Sequence, residues 1–128
     1  MNLNKDLYLQ LLEQAKGSPR LRQALDLRTT SEDKSQRLLN ALIPGTQVPI
    51  HRHTTSAETA ILLYGHIDEI YFDEKGNETM RHSLTIGDAL QIPVGQFHTV
   101  EVHASSILLA VKDGVYEPAK PEDIIVKE

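Results

Sequence analysis

The sequence predicts an all-β domain, a small barrel or jelly roll, carrying an N-terminal helical extension. Three observations lead there. From Ser35 onward the chain is a succession of short apolar or alternating runs, broken by Gly, Pro, Asn and Asp at close spacing. Ahead of Ser35 lies a helical stripe rather than a strand pattern. At 128 residues, the chain has the length of one domain with a real core. The expected organisation is a helical extension over 1–34, a β-barrel over 35–116 and a tail over 117–128.

The first element is a helix over 3–16, LNKDLYLQLLEQAK. Asn4 is placed to cap it, and Leu7, Leu11 and Leu12 form one apolar stripe that Leu3 can extend. Gly17, Ser18 and Pro19 end it. A second short helix is expected over 19–27, because proline suits the first helical turn. Both helices are expected to cover a sheet, with Arg20, Arg22 and Arg28 in solvent.

Eight strands are expected next, at 36–43, 47–53, 58–64, 66–72, 78–84, 88–92, 97–102 and 105–112. The DEKGN segment at 73–77 reads as a hairpin loop. Strands 58–64 and 105–112 are apolar on both faces, so their outer faces need cover from the N-terminal helix or a second subunit. That need makes a homodimer the expected assembly. The IIV run in the tail reads as an edge strand or an extended arm.

Candidate site residues lie in two segments. In 45–65, GTQVPIHRHTTSAETAILLYG, an H-x-H pair is followed by Glu58. On an extended chain His51 and His53 point to the same side. The TTSA segment can return Glu58 beside them. All three side chains are of types that ligate first-row transition metals. In 87–98, GDALQIPVGQFH, a proline–glycine turn delivers His98 at a fixed point on the next strand, which makes it the fourth candidate. Zero cysteines exclude disulfides and thiolate ligands, so any metal binds through nitrogen and oxygen. Such a set accepts Fe, Mn, Ni, Co, Zn or Cu in divalent form.

Strand alternation carries the inward face from Glu58 to Ala60, Leu62 and Tyr64, and from His98 to Val100 and Val102. Tyr64 is the one phenol in that set and a candidate substrate contact. Lys112 and Tyr116 are expected near the mouth. His66, His82 and His103 lack the ligand pattern, and His66 stands nearest the expected pocket. No proton-transfer group beyond the ligands is visible beside the metal. A net charge of −5 and the absence of a basic cluster exclude a nucleic-acid surface or an anionic-membrane surface. No apolar run approaches a bilayer span and the N-terminus lacks a signal-peptide core, so a cytoplasmic protein is expected.

The two segments resemble the paired motifs of the cupin superfamily. The first reads Gly45-x5-His51-x-His53-x4-Glu58-x6-Gly65, and the second Gly87-x5-Pro93-x-Gly95-x2-His98. The second departs at its end, where many cupins have asparagine and this chain has Val102. SPRLRQ, QRLLNAL, PIHRHTTSAETAILLYG, FDEKGN, IPVGQFHTV and KDGVYEP are similar to the WbuC family of small cupin-fold metalloproteins, over about 18–118. The resemblance implies a single-domain cupin barrel, a metal at His51, His53, Glu58 and His98, and a role in bacterial surface-polysaccharide (O-antigen or lipopolysaccharide) metabolism. Its reaction stays open among isomerase, epimerase, lyase and oxygenase chemistry, with a non-catalytic metal-dependent sensor or binding module as the alternative. A metal-free sugar epimerase fits less well, because the ligand set is complete.

Overall fold

Helix α1 (Lys5–Lys16) opens the fold, and its sequence explains both ends. Asn4 Oδ1 accepts from the Leu7 amide at 3.1 Å, and the Gly17 amide closes the last turn on the Ala15 and Glu13 carbonyls. A computed structural model describes residues 1–126. None of its helices is long and apolar enough to cross a membrane.

The chain then forms β1 (Arg22–Asp26), β2 (Ser35–Leu42), β3 (Ile50–His51), β4 (Glu58–Phe72), β5 (Glu78–Thr85), β6 (Ala89–Ile92), β7 (Phe97–Asp113) and β8 (Ile124–Ile125). A 3-10 turn, Pro121–Asp123, precedes β8. All of the pairings are antiparallel. Strands β4 and β7 form the long central pair, with β2 on β7 and β5 and β6 on β4.

Residues 19–27 do not form the expected helix. Arg22–Asp26 pair with β2 in the register Arg22↔Leu42 to Asp26↔Leu38. The edge of β2 offers this segment a ladder of backbone partners, and an isolated turn of helix has too few bonds to compete. The strands expected at 58–64 and 66–72 are one continuous β4, and those at 97–102 and 105–112 are one β7. The IIV run of the tail supplies the edge strand β8 on β3.

Two apolar layers flank β2, β4 and β7. Inside the barrel, Leu42, Ala60, Leu62, Ile67, Leu84, Ile92, Val102 and Leu108 pack together. Outside it, Tyr8, Leu11, Leu12 and Ala15 of α1 cover Leu39, Ala41 and Ile107. The helix therefore covers outer apolar positions of β2 and β7, burying surface worth about 25 cal/mol per Å². Leu63, Tyr64 and Leu109 pack on the same layer.

Alternation along β4 breaks at Gly65. Ala60 and Leu62 face the barrel, Leu63 and Tyr64 both join the helix layer, and Ile67 returns inside. The pairing with β7 shifts register across the same stretch. Gly65 has φ +92°, and a Cβ there would run into Ser106 and the Ser105 carbonyl. Ser106 is fully buried, and its hydroxyl accepts from the His66 amide at 3.0 Å and donates to the Ala104 carbonyl at 2.6 Å.

Gly65→Ala is expected to lower stability by about 2 kcal/mol or more, since it adds both a strained φ and a backbone clash. A thermal midpoint equal to that of the wild type would contradict this account of the bulge.

Candidate metal centre

Three backbone arrangements converge on one point. His51 ends β3 and stands directly opposite His98 of β7. The Gly95 amide donates to the His53 carbonyl at 2.7 Å, tying the turn before His98 to the loop after β3. Gly95 has φ +81°, which suits glycine at this tight turn. Glu58 begins β4 on the inward face. One nitrogen from each of His51, His53 and His98 lies within 4.8 Å of the others. Glu58 Oε1 is 3.2 Å from His53 Nε2, and Oε2 is 4.0 Å from His98 Nε2.

The backbone also sets how two of the rings present themselves. His51 Nδ1 lies 2.8 Å from the Pro49 carbonyl and His98 Nδ1 lies 3.0 Å from the Gln96 carbonyl. A carbonyl only accepts, so both Nδ1 atoms carry the proton and both Nε2 atoms keep a lone pair. Outer partners of this kind orient metal-ligating histidines. His98 Nε2 is buried with no hydrogen bond, and so is His53 Nε2, whose approach to Glu58 lacks hydrogen-bonding geometry. Buried nitrogens left without partners carry a desolvation cost that a cation would remove. The donor set therefore fits a divalent transition metal, with three imidazoles and one carboxylate.

Electrostatics favour the same occupancy. Burial lowers the His51 pKa to about 4, with His98 adding to the effect. Burial likewise lowers His98, against the opposing pull of Glu58. Both rings are thus neutral at neutral pH, as ligation requires. Burial pushes Glu58 upward, but the His53 interaction and the charges of His98 and Lys112 leave it below the usual carboxylate range.

These four residues share a cavity of about 750 Å³ with Lys112, Tyr116 and apolar walls that include Leu38, Val48 and Val100. Lys112 Nζ stands 3.4 Å from His53 Nδ1. Tyr64 is absent from the lining and packs instead on Tyr8, with ring centroids 6.3 Å apart. Strict alternation from Glu58 had put Tyr64 inside, and the bulge at Gly65 turns it to the helix. Val100 lines the cavity and Val102 joins the barrel core, as alternation from His98 expects.

The same bulge brings in a residue that sequence reasoning missed. Glu69 lines the cavity, is 2 % exposed, and has its Oε2 buried with no hydrogen-bond partner. Burial raises its pKa well above the ordinary value, and the charge of Glu58 adds to this. A signal for it existed: alternation restarted at Ile67 puts Glu69 and Tyr71 on one face.

The remaining histidines lie away from the centre. His66, Asp68 and His103 form a second cluster of possible ligands. There Asp68 Oδ2 already accepts from Arg81 and from His103 Nε2, each at 3.1 Å, and His66 Nε2 lies 2.9 Å from the Ser83 hydroxyl. His66 thus turns away from the metal cavity. His82 pairs across from Glu69 and stacks edge-on to Tyr71, with its Nε2 buried and unbonded.

An antiparallel sheet wrapped around an apolar interior, with this donor set inside, defines a cupin-fold protein with a candidate metal centre. Solved structures carry the same fold. The oxalate decarboxylase of Bacillus subtilis is 23% identical, with a TM-score of 0.60 over 76% of this chain and 26% of that one. KdgF from Halomonas sp. is 16% identical, with a TM-score of 0.58 over 76% and 82%. The Cnp3 cupin domain of Schizosaccharomyces pombe is 10% identical, with a TM-score of 0.59 over 74% and 65%. At these identities the likeness establishes the fold alone. No curated protein matches the chain. Residues 3–84 match the family described as "Domain of unknown function (DUF6016)", and the chain belongs to that family.

His51→Ala and His98→Ala should each weaken metal binding by more than the roughly 10- to 100-fold that loss of an outer partner costs, with circular dichroism unchanged. Equal metal content in wild type and both variants would remove the assignment. A second expectation concerns Glu69 in metal-stripped protein. The native state holds the Glu69 proton to higher pH than the unfolded chain, whose value is near 4.5, so this group drains stability as pH rises above that value. Glu69→Gln should therefore melt increasingly above wild type as pH rises from about 5 to 8. A gap independent of pH would show that Glu69 is ionised in the fold.

Proposed function

We propose that this chain is a metal-dependent enzyme acting on a small sugar-derived or carbonyl metabolite. The observation that carries the reading is Glu69, a buried carboxyl with a free oxygen in the same cavity as the four ligands. A cavity built only to bind metal and ligand has no use for an unpartnered acid, whose burial is costly. A divalent transition metal at His51, His53, Glu58 and His98 would supply Lewis-acid polarisation of a ligand oxygen. Burial favours the protonated form of Glu69, which is suited to give or take a proton at a carbon or oxygen beside its free Oε2. Lys112 and Tyr116 orient the ligand, and the apolar walls limit water.

Isomerase or epimerase chemistry suits an acid of this kind. Dioxygenase chemistry and a non-catalytic sensor are the competing readings. Bacillus subtilis oxalate decarboxylase, of the same fold, has Mn(II) centres, which supports a divalent ion here. The resemblance to the WbuC family supports a role in surface-polysaccharide metabolism, in a cytoplasmic protein that works as a homodimer.

The test combines elemental analysis with turnover. Protein loaded with the metal found on purification would be offered nucleotide sugars, sugar phosphates and simple carbonyl compounds in D2O. Conversion, or deuterium uptake beside a carbonyl, is expected, with a loss of roughly 100-fold or more in Glu69→Gln at equal metal content. Tight binding of a metabolite without conversion or exchange would favour the sensor and overturn the enzyme reading.

A further inference from the structure

We propose that Arg52, the residue between the two histidines of the H-x-H pair, is a positioning residue: through Asp123 it clamps residues 116–125 in place as a wall of the cavity, and the same clamp holds the His51–His53 segment against His98. The inference deepens the proposed function, and its metal-binding consequence rests on the metal-centre reading.

The first observation is where Arg52 points. Side chains alternate along an extended segment, so His51 and His53 line the cavity while Arg52 turns to the other side. There its guanidinium lies over the Phe97 ring, 4.7 Å from the centroid, and Phe97 directly precedes His98. Its Nε donates to Asp123 Oδ1 at 2.9 Å, and its amide donates to the Asp123 carbonyl at 3.0 Å. Asp123 is buried, so its carboxylate depends on such a partner. One residue thus touches both ligand-bearing segments and the tail.

The second observation is how little else holds β3. It is two residues long, with His51 opposite His98 of β7 on one side and Ile50 and His51 opposite Ile125 and Ile124 of β8 on the other. A ladder this short is marginal by itself. Side chains supply the rest: Ile50 and Ile125 pack on Ile70, Phe72 and Phe97, beside the Arg52–Asp123 bond. The tail that this bond fixes also shapes the cavity. Tyr116, Ala119 and Ile124 line it, and the turn Pro121–Asp123 closes with the Asp123 amide on the Lys120 carbonyl at 2.9 Å.

Docking of the tail and placement of the histidines therefore share one contact. Release of Asp123 removes a flanking partner of β3 and a wall of the cavity together. The relation is reciprocal: whatever the docked tail adds to metal affinity, a bound metal adds to docking.

The experiment pairs amide hydrogen exchange with Co(II) titration, followed by visible absorption, in wild type, Arg52→Met, Asp123→Ala, the double variant and the control Arg28→Gln. The Arg52 amide reports the clamp, and the Gly95 amide, bonded to the His53 carbonyl, reports the ligand segment. Both single variants are expected to speed exchange at Gly95 in metal-stripped protein and to weaken Co(II) binding roughly 10-fold or more, with Arg28→Gln unchanged. The double variant should lose no more than the worse single one, because the two residues act as a pair. In wild type, Co(II) should slow exchange at Arg52 more than at Leu12 of α1, a comparison that needs no variant to fold. Wild-type Co(II) affinity in variants whose Arg52 amide exchanges faster overturns the proposal and leaves the metal centre standing, and additive losses also overturn it. Faster Gly95 exchange in the variants of a protein that takes up no Co(II) sustains the positioning role and removes the metal reading. Unchanged Gly95 exchange in such a protein overturns both.

Discussion

Everything at the centre depends on one tie between distant segments, the pairing of β3 with β7. It places His51 opposite His98, and the Gly95 amide fastens the neighbouring turn to the His53 carbonyl. Together these contacts bring three imidazole nitrogens within 4.8 Å of one another. The burial that results is costly for charge, so His51 and His98 stay neutral and Glu58 stays ionised through its histidine neighbours. A site with His51 and His98 neutral and Glu58 anionic is suited to a dication before any ion arrives.

The bulge at Gly65 has a comparable reach in the other direction. By reversing the inward face of β4, it sends Tyr64 to the helix and turns Glu69 into the cavity. One strand thus serves two layers, the α1 packing and the site. The cost of the left-handed glycine and of the close contact with Ser106 is offset by apolar burial on both faces of the sheet.

Two acids share the cavity with the three histidines. Glu58 is held below the usual carboxylate range and Glu69 is pushed well above it, so one is an anion and the other keeps its proton. Protonation of Glu69 removes its repulsion with Glu58.

Much of this was readable from residue types and spacing. The H-x-H pair, Glu58 and the Pro93–Gly95 turn before His98 depend on local alternation and turn chemistry, which short sequence windows carry. The barrel class followed from the punctuation of short strands, and the stripe of α1 from its helical period. What only the tertiary structure decided are the outcomes of long-range competition. Residues 22–26 became a strand because an open edge of β2 lay beside them. Tyr64 left the site, and Glu69 entered it, because the bulge at Gly65 joins the two expected strands into one with its inward face reversed, and only the pairing with β7 fixes that reversal. The pairing of Arg52 with Asp123 and of Arg81 with Asp68 could not be read either, since pairing of a charge depends on which segments meet in space.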